Sequence, residues 1–159
     1  MPTSQTTNIL PLILRVLAGE QVDGFPMMLP PPVATTVGFE VVAVEHGAAV
    51  FSLDIQRQKH ANPMGTVHGG ILVDLADAAM GLACASLLER GESFTTLELK
   101  INYFRPVISG RVEAHAKVVN AGKTVVYLEC DVVFADSRKP IAKTSSSCLI
   151  LRGEQAKGR

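Results

Sequence analysis

The chain has 159 residues, enough for one domain with a single buried core and too few for two domains of ordinary size. Its 15 Lys and Arg residues balance 15 Asp and Glu residues, so no basic excess is present to neutralise a run of phosphates, and nucleic acid is not expected as a partner. Hydrophobic residues make up 47% of the sequence and Trp is absent, so we expect an aliphatic core.

The N-terminal segment, residues 1–32, is expected to form a short helix and a Pro-rich arm. Thr7 or Asn8 can cap a helix that runs to about Ala18 and stops at Gly19. It lacks the features of an export signal, because Arg15 follows the apolar run and Pro11 interrupts it. The residues from 25 to 32 are Pro-rich and are predicted to be an extended lid or arm.

Residues 33–151 have the pattern of one sheet and one long helix. Turn residues separate strand-like runs at 35–45, 48–57, 95–104, 111–120, 124–135 and 141–151, and a single helix lies between the second and the third. This order predicts an α+β fold in which an antiparallel sheet of five to six strands packs on one long central helix. The charged residues 152–159 are expected to be a flexible tail.

The central helix is apolar on all sides. At 100° per residue, one face carries Gly70, Val73, Asp77, Gly81 and Cys84, and the other face mainly carries Ile71, Leu75, Ala78, Leu82 and Ala83. Such a helix must be covered twice, by its own sheet and by something else. The natural second cover is another copy of the chain.

Asp74 and Asp77 interrupt the longest apolar stretch, residues 71–88, which favours a buried helix over a membrane span. Asp77 lies in the apolar stripe, so its charged form requires a hydrogen bond or a site that holds water and substrate. It is therefore a candidate functional group. The alternative is a carboxylate that faces solvent or caps a loop.

Thr66-Val67-His68-Gly69-Gly70 immediately precedes this helix, and its glycines permit close approach of a ligand. The first helical amides have no internal partners and lie at the positive end of the helix dipole, so they can stabilise an oxyanion. The alternative is a tight entry turn with no further role. Asp77 lies eight residues beyond Gly69, roughly 12 Å along the axis, so the two can act on one carbonyl only from different copies of the chain.

The segment Asn62-Pro63-Met64-Gly65-Thr66-Val67-His68-Gly69-Gly70-Ile71-Leu72-Val73-Asp74-Leu75-Ala76-Asp77 resembles the signature of hotdog-fold acyl-CoA thioesterases of the phenylacetate-degradation type. The run from Leu97 to Pro106 resembles the strand that follows the helix in that family. The resemblance extends in element order over 33–151 and implies a hotdog fold, a homodimer or homotetramer, and hydrolysis of an acyl-CoA without a separate cofactor.

The resemblance also implies roles for five residues. Asp77 would be the nucleophile or the general base, and Gly69 would supply the oxyanion-binding amide. His68 would orient the thioester or assist the leaving thiolate, and Asn62 would position the water. The hydroxyl of the following strand maps to Thr96, with Thr95 as a one-residue alternative.

Further contacts are expected at the ends of the substrate. The candidates for the phosphates of coenzyme A are Arg105, Lys123, Arg138 and Lys139, although such residues are most often plain surface charge. Phe25, Met27, Met28 and Leu29 either close over the acyl group or pack against a second subunit, and the second interpretation is preferred. Met80, Cys84, Leu99 and Phe104 are expected to set the depth of the pocket.

Two other functions fit the same fold. A hotdog hydratase or dehydratase would use a different histidine and carboxylate pattern, and a non-catalytic acyl-CoA binding module would gain nothing from Asp77 beside an apolar chain. The four histidines and three cysteines show no metal-ligand spacing, so no metal is expected. The odd, widely spaced cysteines, Cys84, Cys130 and Cys148, favour buried free thiols and a cytoplasmic location.

Overall fold

A computed structural model describes residues 7–158 of the chain and shows one antiparallel sheet around one long helix. The helices and strands are α1 (Leu10–Leu17), α2 (Pro32–Val37), β1 (Phe39–Glu45), β2 (Ala48–Asp54), α3 (Arg57–His60), α4 (Gly69–Ala85), β3 (Ser93–Tyr103), β4 (Arg111–Ala121), β5 (Val125–Phe134) and β6 (Pro140–Leu151), followed by a 3-10 turn (Gly153–Ala156). The α+β fold predicted from the sequence is confirmed.

The six strands are ordered β1-β2-β4-β5-β6-β3, and every neighbouring pair is antiparallel. The sheet wraps around α4, which contacts all six strands. Alternate residues of β4, namely Val112, Ala114 and Ala116, are buried toward the helix. The two edges of the sheet are β1, which is short and carries a bulge, and β3, which is eleven residues long.

The N-terminal segment packs into the same core as the sheet. Ile9 and Ile13 of the α1 region are 1% and 0% exposed. The amide of Ile9 donates to the carbonyl of Leu88, just beyond the C-terminal end of α4, at 2.9 Å. The N-cap position of α1 is Ile9, and Asn8 just before it accepts at Oδ1 from the amide of Leu10 at 2.9 Å. Thus α1 fixes the start of the Pro-rich arm against the C-terminal end of the central helix.

Several predicted boundaries are wrong. Residues 35–38, predicted to begin the first strand, belong to α2 and its glycine stop, because Pro32 lies in the first turn of that helix and Gly38 ends it at φ +97°. The second strand ends at Asp54 and not at Arg57, which instead begins α3. Within the C-terminal tail, whose flexibility stays a prediction, Gly153–Ala156 form the 3-10 turn, and Arg152 donates to a carboxylate oxygen of Glu92 at 2.6 Å. Arg159 and residues 1–6 lie outside the described residues.

The predicted faces of α4 also need correction. Cys84, placed with Asp77 on one face, is fully buried, while Ala78, placed on the opposite face, is partly exposed. Asp77 is partly exposed and lies between the buried side and the partly exposed side of α4. Cys84 lies about two helical turns beyond Asp77 and is covered by Cys148 of β6. All three cysteines are buried and free. None of the helices within residues 7–158 is both long and apolar enough to cross a membrane.

Candidate active site

Asp77 lies in the middle of α4 and is held by the strand opposite it. The hydroxyl of Thr96 on β3 donates to Asp77 Oδ1 at 3.3 Å. Thr96 faces Asp77 and Thr95 does not, because successive side chains of a strand alternate between its two faces. Cys148 Sγ lies 4.0 Å behind the Thr96 hydroxyl and is 1% exposed, so the sheet side of this pair is closed.

Burial raises the pKa of Asp77 above its ordinary value, and the hydrogen bond from Thr96 partly offsets this effect. Burial also raises the pKa of Asp74, with a second contribution from the negative charge of Asp77. A carboxylate with a raised pKa is a stronger base than an exposed one. Asp77 is therefore suited to remove a proton from water or to attack a carbonyl carbon.

A cavity of about 400 Å³ opens beside these groups. One wall is the face of α4 that carries Asp74, Asp77, Ala78, Gly81, Leu82 and Ala85, and a second wall is the start of β3 with Phe94 and Thr96. The third wall is the Pro-rich arm, which contributes Met27, Met28 and Leu29. The lining is mainly apolar apart from its two ends, so the carboxylate of Asp77 lies at the polar end of an apolar site.

The N-terminal end of α4 presents a free amide. His68 caps the helix, since its Nδ1 accepts from the amide of Gly70 at 3.0 Å. The amide of Gly69 has no hydrogen-bond acceptor among residues 7–158. Because Nδ1 of His68 is an acceptor, the proton of the neutral ring lies on Nε2, and the exposed ring can donate it outward.

Tyr103 of β3 packs directly against this helix end and was not anticipated from the sequence. A Cβ atom on Gly69 would lie 2.6 Å from the Tyr103 hydroxyl oxygen, so only glycine fits without movement of the ring. Burial raises the pKa of Tyr103, which therefore keeps its proton over the whole neutral range. The sequence gave no sign of this contact, because the contact depends on the register of β3.

Asn62 closes the loop that leads into α4. Its Oδ1 accepts from the amides of Met64 and Thr66 at 3.0 and 3.2 Å, and its Nδ2 donates to the Thr66 hydroxyl at 2.9 Å. Every polar atom of the carboxamide is thus engaged within the loop. The loop is further fixed to His60 of α3, whose carbonyl accepts from the amide of His68 at 2.7 Å.

The structure divides the predicted catalytic residues into two groups. Asp77 and Thr96 meet at the cavity, whereas Asn62, His68 and Gly69 gather at the N-terminal end of α4 and do not line it. Gly69 and Asp77 are eight positions apart on one regular helix, so about 12 Å of helix axis separates them. Within one chain, these two groups of residues therefore do not meet.

The predicted phosphate contacts are likewise divided. Arg105, Arg138 and Lys139 lie at the end of the sheet where Tyr103 pairs with Ala142, the same end as Gly69. Lys123 lies in the turn at the opposite end, where its carbonyl accepts from Arg152 at 2.7 Å. Arg138 is engaged by Glu113 Oε2 at 2.9 Å. Arg57, whose guanidinium covers Gly65 of the Asn62 loop, is a further cation that the sequence did not single out.

Four residues expected to set the pocket depth do not line the cavity. Met80 and Cys84 are 0% exposed and face the sheet, and the Thr144 hydroxyl contacts Met80 Sδ at 3.8 Å. Leu99 packs against the core, and Phe104 is an exposed residue beyond β3. The cavity is instead lined by Gly81 and Ala85, which lie one and two turns beyond Asp77, a spacing that could have identified them.

Comparison with known proteins identifies the family of this fold and site. The model of the thioesterase superfamily matches residues 64–141, which include Gly69, Asp77 and Thr96. The 1,4-dihydroxy-2-naphthoyl-CoA hydrolase of Listeria monocytogenes is 34% identical over 97 residues, 61% of this chain and 78% of the relative. The chain belongs to the thioesterase superfamily.

Two solved structures support this assignment. A conserved protein of Pseudomonas aeruginosa is 33% identical with a TM-score of 0.72, covering 82% of this chain and 100% of the other. A variant of the phenylacetic acid degradation protein PaaI of Thermus thermophilus is 32% identical with a TM-score of 0.67, covering 74% of this chain and 97% of the other. The resemblance noted in the sequence is confirmed, and the chain is a thioester hydrolase.

Proposed function

We propose that this thioesterase hydrolyses an acyl- or aryl-acyl-CoA to the free acid and coenzyme A. The observation that carries the proposal is the Asp77 carboxylate, hydrogen-bonded to Thr96 at 3.3 Å, at the polar end of an apolar cavity of about 400 Å³. An acyl group fits the apolar part, and its thioester would lie beside the carboxylate. Coenzyme A is part of the substrate, and no separate cofactor is proposed.

Two routes from Asp77 lead to the same products. As a general base, Asp77 takes a proton from water, and the resulting hydroxide attacks the thioester carbon. As a nucleophile, a carboxylate oxygen attacks that carbon, and water then hydrolyses the acyl-enzyme anhydride. In either route the carbonyl oxygen becomes an oxyanion, the C–S bond breaks, and the CoA thiolate takes up a proton.

The groups at the N-terminal end of α4 complete this chemistry. The free amide of Gly69 donates to the oxyanion, and the His68 Nε2–H orients the thioester or assists the departing thiolate. Asn62 holds the loop that leads into α4. Its place in this loop helps to position the attacking water. Arg105, Lys139 and the other predicted cations at that end are the proposed phosphate contacts, with Lys123 the least favoured because it lies at the opposite end.

The catalytic unit in this proposal is a homodimer with two shared sites, and a tetramer would consist of two such dimers. The long edge strand β3 supports it, because its outer edge is unpaired within the described chain and exposes Leu97 and Tyr103 by 54% and 50%. A second copy that pairs there would bring its own Gly69 toward Asp77 of the first. The free, buried thiols are consistent with the cytoplasm as its location.

Release of free thiol from a panel of acyl-CoAs tests the proposal. Asp77→Ala should lower kcat by about 10²- to 10⁴-fold, the usual contribution of a positioned base or nucleophile. Asp74→Asn is the matched control, because Asp74 lines the same cavity without the bond from Thr96, and it should change kcat by less than about threefold. Thiol release that is absent for every acyl-CoA, or undiminished in Asp77→Ala, would overturn the proposal.

A further inference from the structure

The arm that covers the cavity is a fixed part of the fold. At its N-terminal side, α1 is anchored by Ile13, which is 0% exposed. At its C-terminal side, α2 is anchored by Ala34 and by the carbonyl of Val37, which accepts from Nε2 of the buried His60 at 2.8 Å. Between these anchors, Met27 and Leu29 turn inward and pack against the core. The arm precedes the family match at residues 64–141, so this wall is not part of the matched segment.

The cavity is long in the direction of α4. Its lining on the helix runs from Asp74 to Ala85, and the part beyond Asp77 is roughly 12 Å long at 1.5 Å per residue. Polar side chains lie at its ends, with Asp74 and Asp77 at one end and Glu92 at the other. Glu92 is already engaged there, because it accepts from Arg152 and from the amide of Glu89 at 2.6 and 2.9 Å.

The middle of the cavity offers only carbon and sulfur atoms of side chains. Gly81 faces the ring of Phe94, and a Cβ atom on Gly81 would lie 3.4 Å from Phe94 Cζ. The absence of a side chain at position 81 thus keeps the passage between α4, β3 and the arm open. Met27 and Met28 on the arm side have flexible, polarisable side chains that adapt to the shape of what they cover.

We infer that the acyl group is an aliphatic chain that lies along α4 from Asp77 to Ala85, and that the arm residues Met27 to Leu29 together with Gly81 determine its length. The inference rests on the proposed function. A passage of about 12 Å accommodates about ten bonds of an extended chain, at roughly 1.2 Å per backbone bond. A fatty acyl chain of about eight to ten carbons satisfies this length, whereas a ring directly on the thioester would leave the far half empty.

The test combines hydrolysis with binding over a series of chain lengths. Hydrolysis is measured as thiol release from acetyl- to palmitoyl-CoA and from benzoyl- and phenylacetyl-CoA. Binding is measured by calorimetry with S-alkyl-CoA thioethers of the same lengths, which are not hydrolysed. For the wild type, kcat/KM and affinity should rise about two- to fourfold per methylene up to about ten carbons and then level off.

Gly81→Leu should block the passage. We expect a loss of at least tenfold in kcat/KM for the octanoyl and decanoyl substrates, with acetyl- and butyryl-CoA changed by less than about threefold. Gly81→Ala, which adds one methyl group at a helical position that favours Ala over Gly, is the milder variant and keeps the test valid if Gly81→Leu does not fold. Met27→Ala should widen the passage and move the optimum to longer chains.

The possible outcomes separate this inference from the proposed function. If no acyl-CoA releases thiol while thioether affinity still rises with length and falls in Gly81→Leu, the cavity assignment stands and the catalytic proposal fails. If thiol is released but benzoyl- or phenylacetyl-CoA is preferred, or if Gly81→Leu affects all chain lengths equally, the inference is overturned and the catalytic proposal stands.

Discussion

The C-terminal half of α4 is enclosed by its own chain, whereas its N-terminal end is open. Around the C-terminal end, Asn8 Nδ2 donates to the carbonyls of Ser86 and Leu88, and Cys84 and Ala85 are at most 1% exposed. At the N-terminal end, His68 and Gly70 are exposed and the amide of Gly69 is free within residues 7–158. In the proposed mechanism, the half of α4 beside the acyl group is thus complete in one chain, and the half that would stabilise the oxyanion is not.

Among the changes that test this comparison of the two ends of α4, the largest expected effect concerns the open end. Gly69→Pro removes the amide hydrogen and adds the Pro ring at the first helical position, where Pro is favoured and where the extended backbone of His68 already suits a following Pro. We expect kcat to fall about 10²- to 10³-fold, as for the loss of one oxyanion donor. This fall in kcat is measured as the rate of thiol release from the preferred acyl-CoA.

Gly69→Ala is the control for this change. It places the same Cβ atom against the Tyr103 ring but keeps the amide, so displacement of the ring affects both variants and loss of the donor affects only Gly69→Pro. If the two variants lose the same activity, the amide is not the oxyanion donor.

The enclosed end is tested by stability. Ile13→Ala should lower the free energy of unfolding by about 2–5 kcal/mol, because it leaves a cavity where a fully buried side chain joins α1 to the core. Leu14→Ala, at a neighbouring position that is 48% exposed, should change it by less than about 0.5 kcal/mol. Chemical denaturation measures both; equal effects would mean that α1 does not belong to the core.

A smaller effect is expected at the junction of the two halves. The Thr96 hydroxyl stabilises the ionised form of Asp77, so Thr96→Val should raise the pKa of Asp77 further and move the acidic limb of the kcat/KM profile to higher pH. At neutral pH the loss of one hydrogen bond should cost about fivefold in rate. Thr95→Val is the control and should leave the acidic limb in place; a limb that does not move in Thr96→Val would show that Asp77 is not the titrating group.

The sequence predicted the order of the elements in the α+β fold, because strand alternation, turn residues and the long apolar helix are local patterns. The family resemblance, and not a local pattern, placed a hydroxyl residue of the site at Thr96 or Thr95. The helix α2 was missed because Val33, Thr35 and Thr36 are β-branched and favour a strand, whereas Pro32 and Gly38 determine the start and the end of the helix.

The residues that line the cavity were predicted poorly because they depend on which face of α4 the sheet covers. The helical pattern places Cys84 close to Asp77 in angle, but Cys148 covers it, and the open stripe is centred nearer Gly81. The contact of Tyr103 with Gly69 and the link from His60 to Val37 join segments distant in sequence, and one sequence gives no signal of their register.

Complementation between two inactive variants tests most directly that each site is shared by two chains. Asp77→Asn on one copy and Gly69→Pro on another, with different affinity tags, are co-expressed, and the mixed dimer is isolated by both tags. One of its two sites would contain Asp77 and Gly69 intact, so thiol release should return to about half the wild-type rate per dimer. A mixed dimer that is no more active than either parent would contradict the account.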